Sequence, residues 1–379
     1  MINKAIESVE AAITPSNPLT FLLDWELTMK CNLDCSYCGV GENGGHDNST
    51  QHPKLSDCLS SLDFMFEYAD LYTQNKRSNR KQVILNVYGG ESLHHPNIVE
   101  ILASIDDKKA KYTSWNLTVT CTTNALVTAK KLLAVMPYIQ QFTVSYHTES
   151  NAKQQAQFKE NLLLLKQHNK EFKCLILMNP PEHYFSNAID MIEWCKLNGI
   201  NYLPKQLDIA ENEGKDKVKW HSKKQIIWFN KLYSDRSFNA NINIDASKES
   251  VNLSQEGRAC CGGRQTCTDQ DYKTRHFYID NHFPDWYCSV NEYFLFVKQV
   301  NGKIYTNKDC KMNFDGQVAP IGNLNNTKAL LDYTRTNITN NSMPIIQCKK
   351  KSCFCGLCAP KAQSIDTYRQ IMLKYKHEK

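Results

Sequence analysis

Residues 29–38 read MKCNLDCSYC and bring three thiols together, those of Cys31, Cys35 and Cys38, with three and then two residues between them. The segment follows an apolar stretch rich in strand-forming residues, which predicts a loop at the end of a strand. A [4Fe-4S] cluster has four irons, so three cysteine ligands leave one iron open to another molecule. The same three thiols also suit a structural zinc loop, with His46 or His52 as fourth ligand. Taken alone, the segment predicts a metal-binding loop.

The other cysteines are clustered in the same way, which favours metal sites over disulfides in a reducing compartment. The chain holds 16 cysteines, and the groups outside the first loop fall at 260–267, at 288 and 310, and between 348 and 358. Four cysteines stand alone and are interpreted as small buried apolar residues: Cys58, Cys121, Cys174 and Cys195.

Composition excludes several classes of function. With 45 basic and 39 acidic residues the net charge is only +6 and is spread along the chain, so we expect no nucleic-acid partner. No segment approaches the roughly 20 apolar residues that span a bilayer, and the N-terminus lacks a basic start followed by a long apolar run. We therefore expect a soluble cytoplasmic protein with no membrane partner.

The first two hundred residues alternate between short apolar runs and longer segments of helical period, which predicts six βα units. The predicted strands are Leu19 to Met29, Val83 to Tyr88, Leu117 to Thr122, Phe142 to Tyr146, Lys173 to Met178 and Asn201 to Leu207. The predicted helices between them are Leu55 to Gln74, Asn97 to Lys111, Leu126 to Ile139, Ala152 to Gln167 and Ser186 to Leu197.

Near-continuous apolar strands separated by helices predict parallel pairing with right-handed crossovers. The fold class that follows is α/β, a partial (βα)6 barrel of the TIM type, at residues 1–210. A polar connector is expected at 211–256, with a helix near Gln225 to Leu232. A cysteine-rich α+β domain is expected at 257–379, with strands at Phe294 to Gln299 and Lys303 to Thr306 joined by a turn and a helix around Lys328 to Thr334.

Polar residues follow several predicted strands at the end where a barrel carries its active site. Cys31 follows the first strand, Gly89-Gly90-Glu91 the second, Thr123-Asn124 the third, and His147 with Glu149 the fourth. Two glycines allow close approach of a ligand or another backbone, and a carboxylate can accept hydrogen bonds from an ammonium group.

This arrangement resembles the radical S-adenosylmethionine superfamily, in which a Cys-x3-Cys-x2-Cys loop with an aromatic residue before the last cysteine holds a site-open [4Fe-4S] cluster. The resemblance implies that Cys31, Cys35 and Cys38 bind this cluster and that S-adenosylmethionine chelates its open iron. Electron transfer then cleaves the sulfonium, and the 5′-deoxyadenosyl radical abstracts a substrate hydrogen. The cofactor carries the difficult chemistry while the protein positions it.

The resemblance also implies residues that bind S-adenosylmethionine. Gly89, Gly90 and Glu91 look like the Gly-Gly-Glu motif that holds its amino group. Thr123-Asn124 resembles a Thr-Asn-Gly stretch in which Ala125 replaces the glycine. This departure leaves undecided whether Thr123 and Asn124 contact S-adenosylmethionine. The remaining candidates are Ser145 and His147, expected to contact the ribose and carboxylate, and Tyr37, expected to pack near the adenine. The alternatives are a structural role for His147 and a loop-anchoring role for Tyr37.

The C-terminal cysteines resemble the SPASM and twitch accessory domains of this superfamily, which bind one or two auxiliary Fe-S clusters. Gly302 and Cys310 are separated by seven residues, where SPASM domains usually have four, and the closing Cys-x4-Cys-x-Cys-x2-Cys array also departs from SPASM spacing. A twitch-like domain with at least one auxiliary cluster, expected to be [4Fe-4S], fits better. The implied ligands are Cys288, Cys310, Cys355 and Cys358, with Cys348 and Cys353 as substitutes or a second site; zinc across this array is the alternative.

The role of the stretch around Cys260, Cys261 and Cys267 is not decided by the sequence. It can bind a further metal, form a substrate-facing loop with Arg258 and Arg264, or hold its thiols incidentally.

The resemblance implies a radical enzyme of the oxidoreductase-like or peptide-modifying kind, supplied with electrons by a donor such as flavodoxin or ferredoxin. A peptide or protein is the expected substrate, and radical oxidation of a small molecule such as an alcohol or sugar is the alternative. A zinc-stabilised binding protein is the rival from another class. Residues that would act as hydrogen donor or base in the substrate step are not identified by the sequence.

Overall fold

The computed structural model describes residues 12–13, 20–38, 47–74, 81–207, 221–234, 285–308, 311–349 and 361–377. Its strands are β1 (Ala12–Ile13), β2 (Thr20–Thr28), β3 (Gln82–Gly89), β4 (Asn116–Thr123), β5 (Gln141–Tyr146), β6 (Glu171–Met178), β7 (Tyr202–Gln206), β8 (Tyr287–Cys288), β9 (Phe294–Lys298), β10 (Lys303–Tyr305), β11 (Gly322–Asn323), β12 (Ile346–Gln347) and β13 (Lys361–Ala362). Its α-helices are α1 (Leu55–Thr73), α2 (Ile98–Lys109), α3 (Ala129–Val135), α4 (Ala152–Gln167), α5 (Glu182–Leu197), α6 (Lys223–Ser234), α7 (Thr327–Asn340) and α8 (Ile365–His377).

Strands β2 to β7 lie side by side in chain order and pair in parallel, each joined to the next through a helix or helical segment. They coincide with the six strands expected from the sequence, to within two residues at either end. The predicted α/β fold with parallel βα units is thus confirmed.

Local signals account for the helix boundaries that differ from expectation. α3 begins at Ala129 because the Thr128 side chain caps it by accepting from the Lys131 amide. α5 begins at Glu182, directly after Pro181. α7 continues to Asn340 and ends where Asn341 adopts the left-handed conformation, with φ 54°.

The sheet continues beyond the six barrel strands into the C-terminal part of the chain. β9 pairs in parallel with β2, and β10 and then β11 add antiparallel strands, which gives a nine-stranded sheet. The hairpin expected around Gly302 is present, and Gly302 has φ 69°, a conformation that favours glycine. The edge of β2 that an isolated six-strand sheet would expose is therefore covered. The division of the chain at 210 and 256 stays a prediction.

The two faces of β2 differ in chemistry. Phe21, Leu23, Trp25 and Leu27 are fully buried in the main apolar core, which also contains residues of α1. The alternate side chains face the barrel lumen, because successive strand residues point to opposite sides. On that face Asp24 accepts a 2.9 Å hydrogen bond from Asn86, so this part of the lumen is polar, whereas the interior of a packed barrel is aliphatic.

A second, four-stranded sheet has the order β1, β13, β8, β12 and is antiparallel. Cys288 pairs with Ile346 across β8 and β12. Cys348 lies two residues after Ile346, and its amide donates to the Trp286 carbonyl at 2.8 Å. Cys288 and Cys348 belong to one buried apolar cluster. These short strands and α8 are elements that periodicity in the sequence did not predict.

Candidate active site

The three cysteines of residues 29–38 lie on a loop that leaves the C-terminal end of β2. Its turn is closed by a 3.0 Å bond from the Cys38 amide to the Cys35 carbonyl, and the Cys31 amide donates to Asn48 Oδ1 at 2.9 Å. Cys35 is buried, and Cys31 and Cys38 are half-buried. The loop therefore has a defined backbone and presents its thiols at the barrel mouth.

Glu149, in the loop after β5, also holds the cysteine loop. Its carboxylate accepts from the Ser36 amide at 2.8 Å and from the Ser36 hydroxyl at 2.5 Å. Asn179, directly after β6, donates to Glu149 at 2.8 Å. The ends of β5 and β6 thus anchor the loop that begins at β2. Asn179 was not predicted from the sequence, because no motif surrounds it and its only signal is its position directly after a strand.

The thiols lie among hydrogen-bond donors. The Leu33 amide lies 3.4 Å and the Asn124 side-chain amide 3.8 Å from the Cys31 sulfur. Burial, as the largest cause, raises the pKa of Cys31 to about 11 and that of Cys35 to about 12. Amide donors aimed at sulfur are the environment that tunes thiolate-ligated Fe-S clusters, so these residues fit such a group.

Gly89 and Gly90 are required by the close approach of two backbones. A Cβ on Gly89 would stand 2.1 Å from the Thr28 carbonyl oxygen, and one on Gly90 would stand 2.4 Å from that of Lys30. The Gly90 amide donates to the Thr28 carbonyl at 2.7 Å and the Glu91 amide to the Lys30 carbonyl at 2.8 Å. The glycines therefore let the end of β3 lie against the start of the cysteine loop.

The Glu91 carboxylate is buried and accepts three hydrogen bonds. They come from the Thr123 hydroxyl at 2.7 Å, the Asn124 amide at 2.6 Å and the Leu93 amide at 3.0 Å. Burial, opposed by these bonds, raises the pKa of Glu91 above its ordinary value. Glu91 thus ties the ends of β3 and β4 together. Its predicted contact with the amino group of S-adenosylmethionine stays a prediction.

Thr123 and Asn124 lie where the sequence places them, at the end of β4. Asn124 donates to Asn32 in the cysteine loop at 2.7 Å, and Asn32 donates to the Leu126 carbonyl at 2.9 Å. Ala125, which stands where the family motif has glycine, has φ 53°. An alanine in this conformation is strained, and a glycine would adopt it without that cost.

His147 contacts the cysteine loop directly. Its Nδ1 lies 3.3 Å from the Cys35 sulfur and 3.0 Å from the Tyr37 hydroxyl. The Tyr37 and His147 rings are nearly parallel, with centroids 6.1 Å apart. Burial lowers the pKa of His147 to about 4 and raises that of Tyr37. Ser145 lies two residues earlier, on β5. The structure thus brings His147 and Tyr37 together and places Ser145 on the adjoining strand.

Within the described ranges, no three His, Cys, Asp or Glu side chains converge closely enough to hold a single metal ion. In a cubane cluster each cysteine binds a different iron, so the cysteines need not converge on one point. The finding therefore concerns only a site for a single metal ion. His52, one of the two histidines considered for a zinc loop, instead lies 3.0 Å from the Thr28 hydroxyl with its ring against His95. His46 lies outside the described residues.

The other cysteines divide into buried single thiols and those outside the described residues. Cys58, Cys121, Cys174 and Cys195 are buried in the main core, as expected. Cys288 and Cys348 are buried on one face of the small sheet. The predicted ligands Cys310, Cys355 and Cys358, the substitute Cys353, and Cys260, Cys261 and Cys267 lie outside the described residues.

Comparison with known proteins adds evidence on the fold. No family model and no curated protein matches the sequence. Solved radical S-adenosylmethionine enzymes do match the structure. Native anSMEcpe with bound AdoMet is 14% identical, and the alignment covers 94% of this chain and 96% of that chain with a TM-score of 0.50. The chain has the fold of the radical S-adenosylmethionine enzymes.

Two further solved structures align at lower similarity. Native anSMEcpe with bound AdoMet and Kp18Cys peptide is 13% identical, with 95% of this chain and 97% of that chain covered and a TM-score of 0.49. BtrN in complex with AdoMet and 2-DOIA is 12% identical, with 86% of each chain covered and a TM-score of 0.36. Both scores are too low to support an argument about substrate.

Across the described part of the chain, every helix is too short or too polar to cross a membrane.

Proposed function

We propose that this chain is a radical S-adenosylmethionine enzyme whose site-open [4Fe-4S] cluster is held by Cys31, Cys35 and Cys38. The observation that carries the proposal is a three-cysteine loop after β2 that Asn124 and Glu149 fix from the ends of neighbouring strands. When bound, the cluster supplies the electron that cleaves S-adenosylmethionine to a 5′-deoxyadenosyl radical, which takes a hydrogen from the substrate.

The chain's own residues would then bind and orient S-adenosylmethionine. Gly89 and Gly90 let the end of β3 lie against the start of the cysteine loop, and Glu91 and Thr123 hold the β3 and β4 loops in one arrangement. We assign Gly89, Gly90, Glu91, Thr123, Asn124, Tyr37, Ser145 and His147 to this site.

An auxiliary Fe-S cluster in the C-terminal part is the second element of the proposal, with Cys288, Cys310, Cys355 and Cys358 as ligands. Cys288 is buried together with Cys348 on one face of the small sheet. That burial supports Cys348 as a substitute ligand.

For the substrate we propose a peptide or protein, with radical oxidation of a small molecule such as an alcohol or sugar as the alternative. A flavodoxin or ferredoxin would supply electrons.

Anaerobic reconstitution with iron and sulfide tests the enzyme proposal. The reconstituted chain should form 5′-deoxyadenosine from S-adenosylmethionine when a strong reductant is added. Cys35→Ala should abolish this product. Cys58→Ala is the matched control, because Cys58 is a fully buried thiol of α1 outside the cysteine loop, and it should retain the product. Tight binding of zinc without iron uptake, together with no 5′-deoxyadenosine, would establish the zinc-stabilised binding protein instead.

A further inference from the structure

The imidazole of His147 lies against the sulfur of one cysteine of the loop. Its Nδ1 atom is 3.3 Å from the Cys35 sulfur and 3.0 Å from the Tyr37 hydroxyl oxygen. Cys35 is buried, so water does not solvate a charge on its sulfur. A buried thiolate needs hydrogen-bond donors from the protein, because an unpaired charge is costly in a low dielectric. His147 and Tyr37 stand where such donors are needed.

The loop after β5 is held so that this contact is fixed. Glu149, two residues after His147, accepts from the amide of Ser36 at 2.8 Å and from its hydroxyl at 2.5 Å. Ser36 directly follows Cys35. Within the same loop, the Ser150 amide donates to the His147 carbonyl at 3.0 Å. The imidazole therefore meets the sulfur from a backbone that is itself bonded to the cysteine loop.

The direction of these hydrogen bonds follows from the charge on the sulfur. A cysteine that binds a cluster is a thiolate, which accepts hydrogen bonds and has no hydrogen to donate. A neutral imidazole carries one hydrogen, and the group opposite each nitrogen decides which nitrogen holds it. The thiolate of Cys35 selects the form of His147 with hydrogen on Nδ1. With the hydrogen on Nε2 instead, the Tyr37 hydroxyl would donate to Nδ1 and the sulfur would receive no hydrogen bond from the imidazole.

A donor at a ligand sulfur changes the energies of the two oxidation states of a cluster by different amounts. Reduction adds one negative charge, and the sulfurs carry part of it. The hydrogen bond therefore stabilises the reduced state more than the oxidised state, since bonds to charged acceptors are stronger. For this reason hydrogen bonds to the sulfurs are among the features that set the potentials of Fe-S clusters.

We propose that His147 is a positioning residue that donates from Nδ1 to the Cys35 sulfur and raises the reduction potential of the site-open [4Fe-4S] cluster. The inference rests on the proposed function and adds to it a role that acts through Cys35. A higher potential makes the cluster easier for an electron donor to reduce.

The same assignment narrows the contact expected between His147 and S-adenosylmethionine. When Nδ1 holds the hydrogen, Nε2 is an acceptor. An acceptor suits the ribose hydroxyls and does not suit the carboxylate. Nε2 makes no hydrogen bond with the part of the chain that the structure describes. The two nitrogens of His147 thus serve the cluster and its ligand separately.

The test measures the reduction potential of the reconstituted cluster by redox titration followed with electron paramagnetic resonance. The signal to follow is the one that Cys31→Ser lacks, because it belongs to this cluster and to no auxiliary one. His147→Leu and His147→Phe carry no donor and should lower the potential by about 59 mV, which corresponds to a tenfold change in the equilibrium constant of a one-electron reduction.

Two further variants separate the hydrogen bond from other effects of the substitution. His147→Asn keeps an N–H close to the position of Nδ1, so its potential should stay near that of the wild type. His168→Leu alters an exposed histidine at the end of α4 and should leave the potential unchanged. Iron content is determined for every variant, because a merely structural role would change the amount of cluster and not its potential.

The two variants without a donor differ in shape, so that either one can decide the question if the other fails to hold its cluster. An unchanged potential in a non-donor variant that retains its iron overturns the inference. A potential as low in His147→Asn as in His147→Leu does so too, and so does loss of iron from both non-donor variants.

Failure of the proposed function is recognised separately. Formation of 5′-deoxyadenosine with excess strong reductant is measured in parallel. A wild type that binds iron and forms this product, beside variants whose potentials do not move, contradicts the role of His147 alone. A wild type that takes up no iron contradicts the proposed function and this inference with it.

Discussion

At the scale of single residues, the site is built from short contacts between backbones that leave no room for side chains. Gly89 and Gly90 lie against Thr28 and Lys30, while Glu91 satisfies three donors at once. These residues are needed for the backbone conformation and the hydrogen bonds of the site, besides any contact with a cofactor. A substitution that only adds side-chain atoms should therefore already disturb the cysteine loop.

Gly90→Ala should lower iron uptake and 5′-deoxyadenosine formation together. The added Cβ would stand 2.4 Å from the Lys30 carbonyl oxygen, so the start of the cysteine loop must move. Iron content after anaerobic reconstitution measures the effect. Gly199→Ala is the matched control, because a Cβ there meets only the Lys166 ammonium, at 3.2 Å. That control should lose about 1 kcal/mol of stability from its left-handed backbone yet keep its iron. Normal iron uptake by Gly90→Ala contradicts the prediction.

We expect His52 to lower the free energy of unfolding of the chain as the pH falls. Its pKa is lowered from 6.5 to about 4, mainly by burial and to a smaller extent by the charges of His95, His94, Lys30 and Lys131. Between these values the unfolded chain binds a proton at His52 that the folded chain does not, so stability falls as pH falls from 6.5 towards 4.

Urea unfolding of the cluster-free chain at pH 7 and pH 5 measures the contribution of His52. His52→Gln should lose less stability between the two values than the wild type does, whereas His168→Gln, at an exposed position, should follow the wild type. An unchanged loss in His52→Gln would show that this histidine is not the responsible group.

At the scale of elements, the hairpin of β9 and β10 completes the edge of the barrel sheet. Val297 on β9 is fully buried beside Trp25 of β2 and Ile304 of β10. The hairpin also carries Lys298 into the lumen. We therefore expect loss of packing in this hairpin to destabilise the barrel sheet.

Val297→Asp should lower the stability of the barrel by about 3 to 5 kcal/mol, because it leaves an unpaired charge in an apolar core. Thermal unfolding followed by circular dichroism measures the loss, and the variant should unfold in one transition at a lower temperature. Val318→Asp is the control: Val318 is 60% exposed, and its substitution should change stability by about 0.5 kcal/mol or less. A native-like transition for Val297→Asp would mean that β9 is dispensable to the barrel.

At the scale of the whole molecule, contacts join the α/β barrel to the C-terminal part. The Tyr72 hydroxyl of α1 donates to the Asn291 carbonyl at 3.0 Å, and Trp25 donates to Gln299 at 3.0 Å. Arg335 of α7 lies 3.0 Å from Glu67 of α1. The two clusters that we propose use different cysteines, so substitutions of single cysteines can separate them.

Iron analysis of cysteine variants should reveal two independent clusters. The reconstituted wild type should bind about eight irons per chain, four for each cube. Cys31→Ser and Cys288→Ser should each retain about four, with 5′-deoxyadenosine formation lost in the first. Cys195→Ser, at a buried core thiol, should retain all of them. A wild type that binds only about four irons would remove the auxiliary cluster from the proposal.

The sequence by itself determined the strands and helices of the barrel and the residues at its mouth. Short apolar runs mark the strands, helices begin at local caps such as Thr128, and the spacing of Cys31, Cys35 and Cys38 is a property of one loop. Each of these signals is contained within a few neighbouring residues.

Only the tertiary structure decided which distant residues meet. Glu149 holds Ser36 across 113 residues, β9 joins β2, and Lys298 comes to rest beside Glu26. Crossover connections bring residues from separate elements together through strand order and register, which depend on packing of the whole chain. No local pattern encodes that order, so the loop was predictable and the pairing of Lys298 with Glu26 was not.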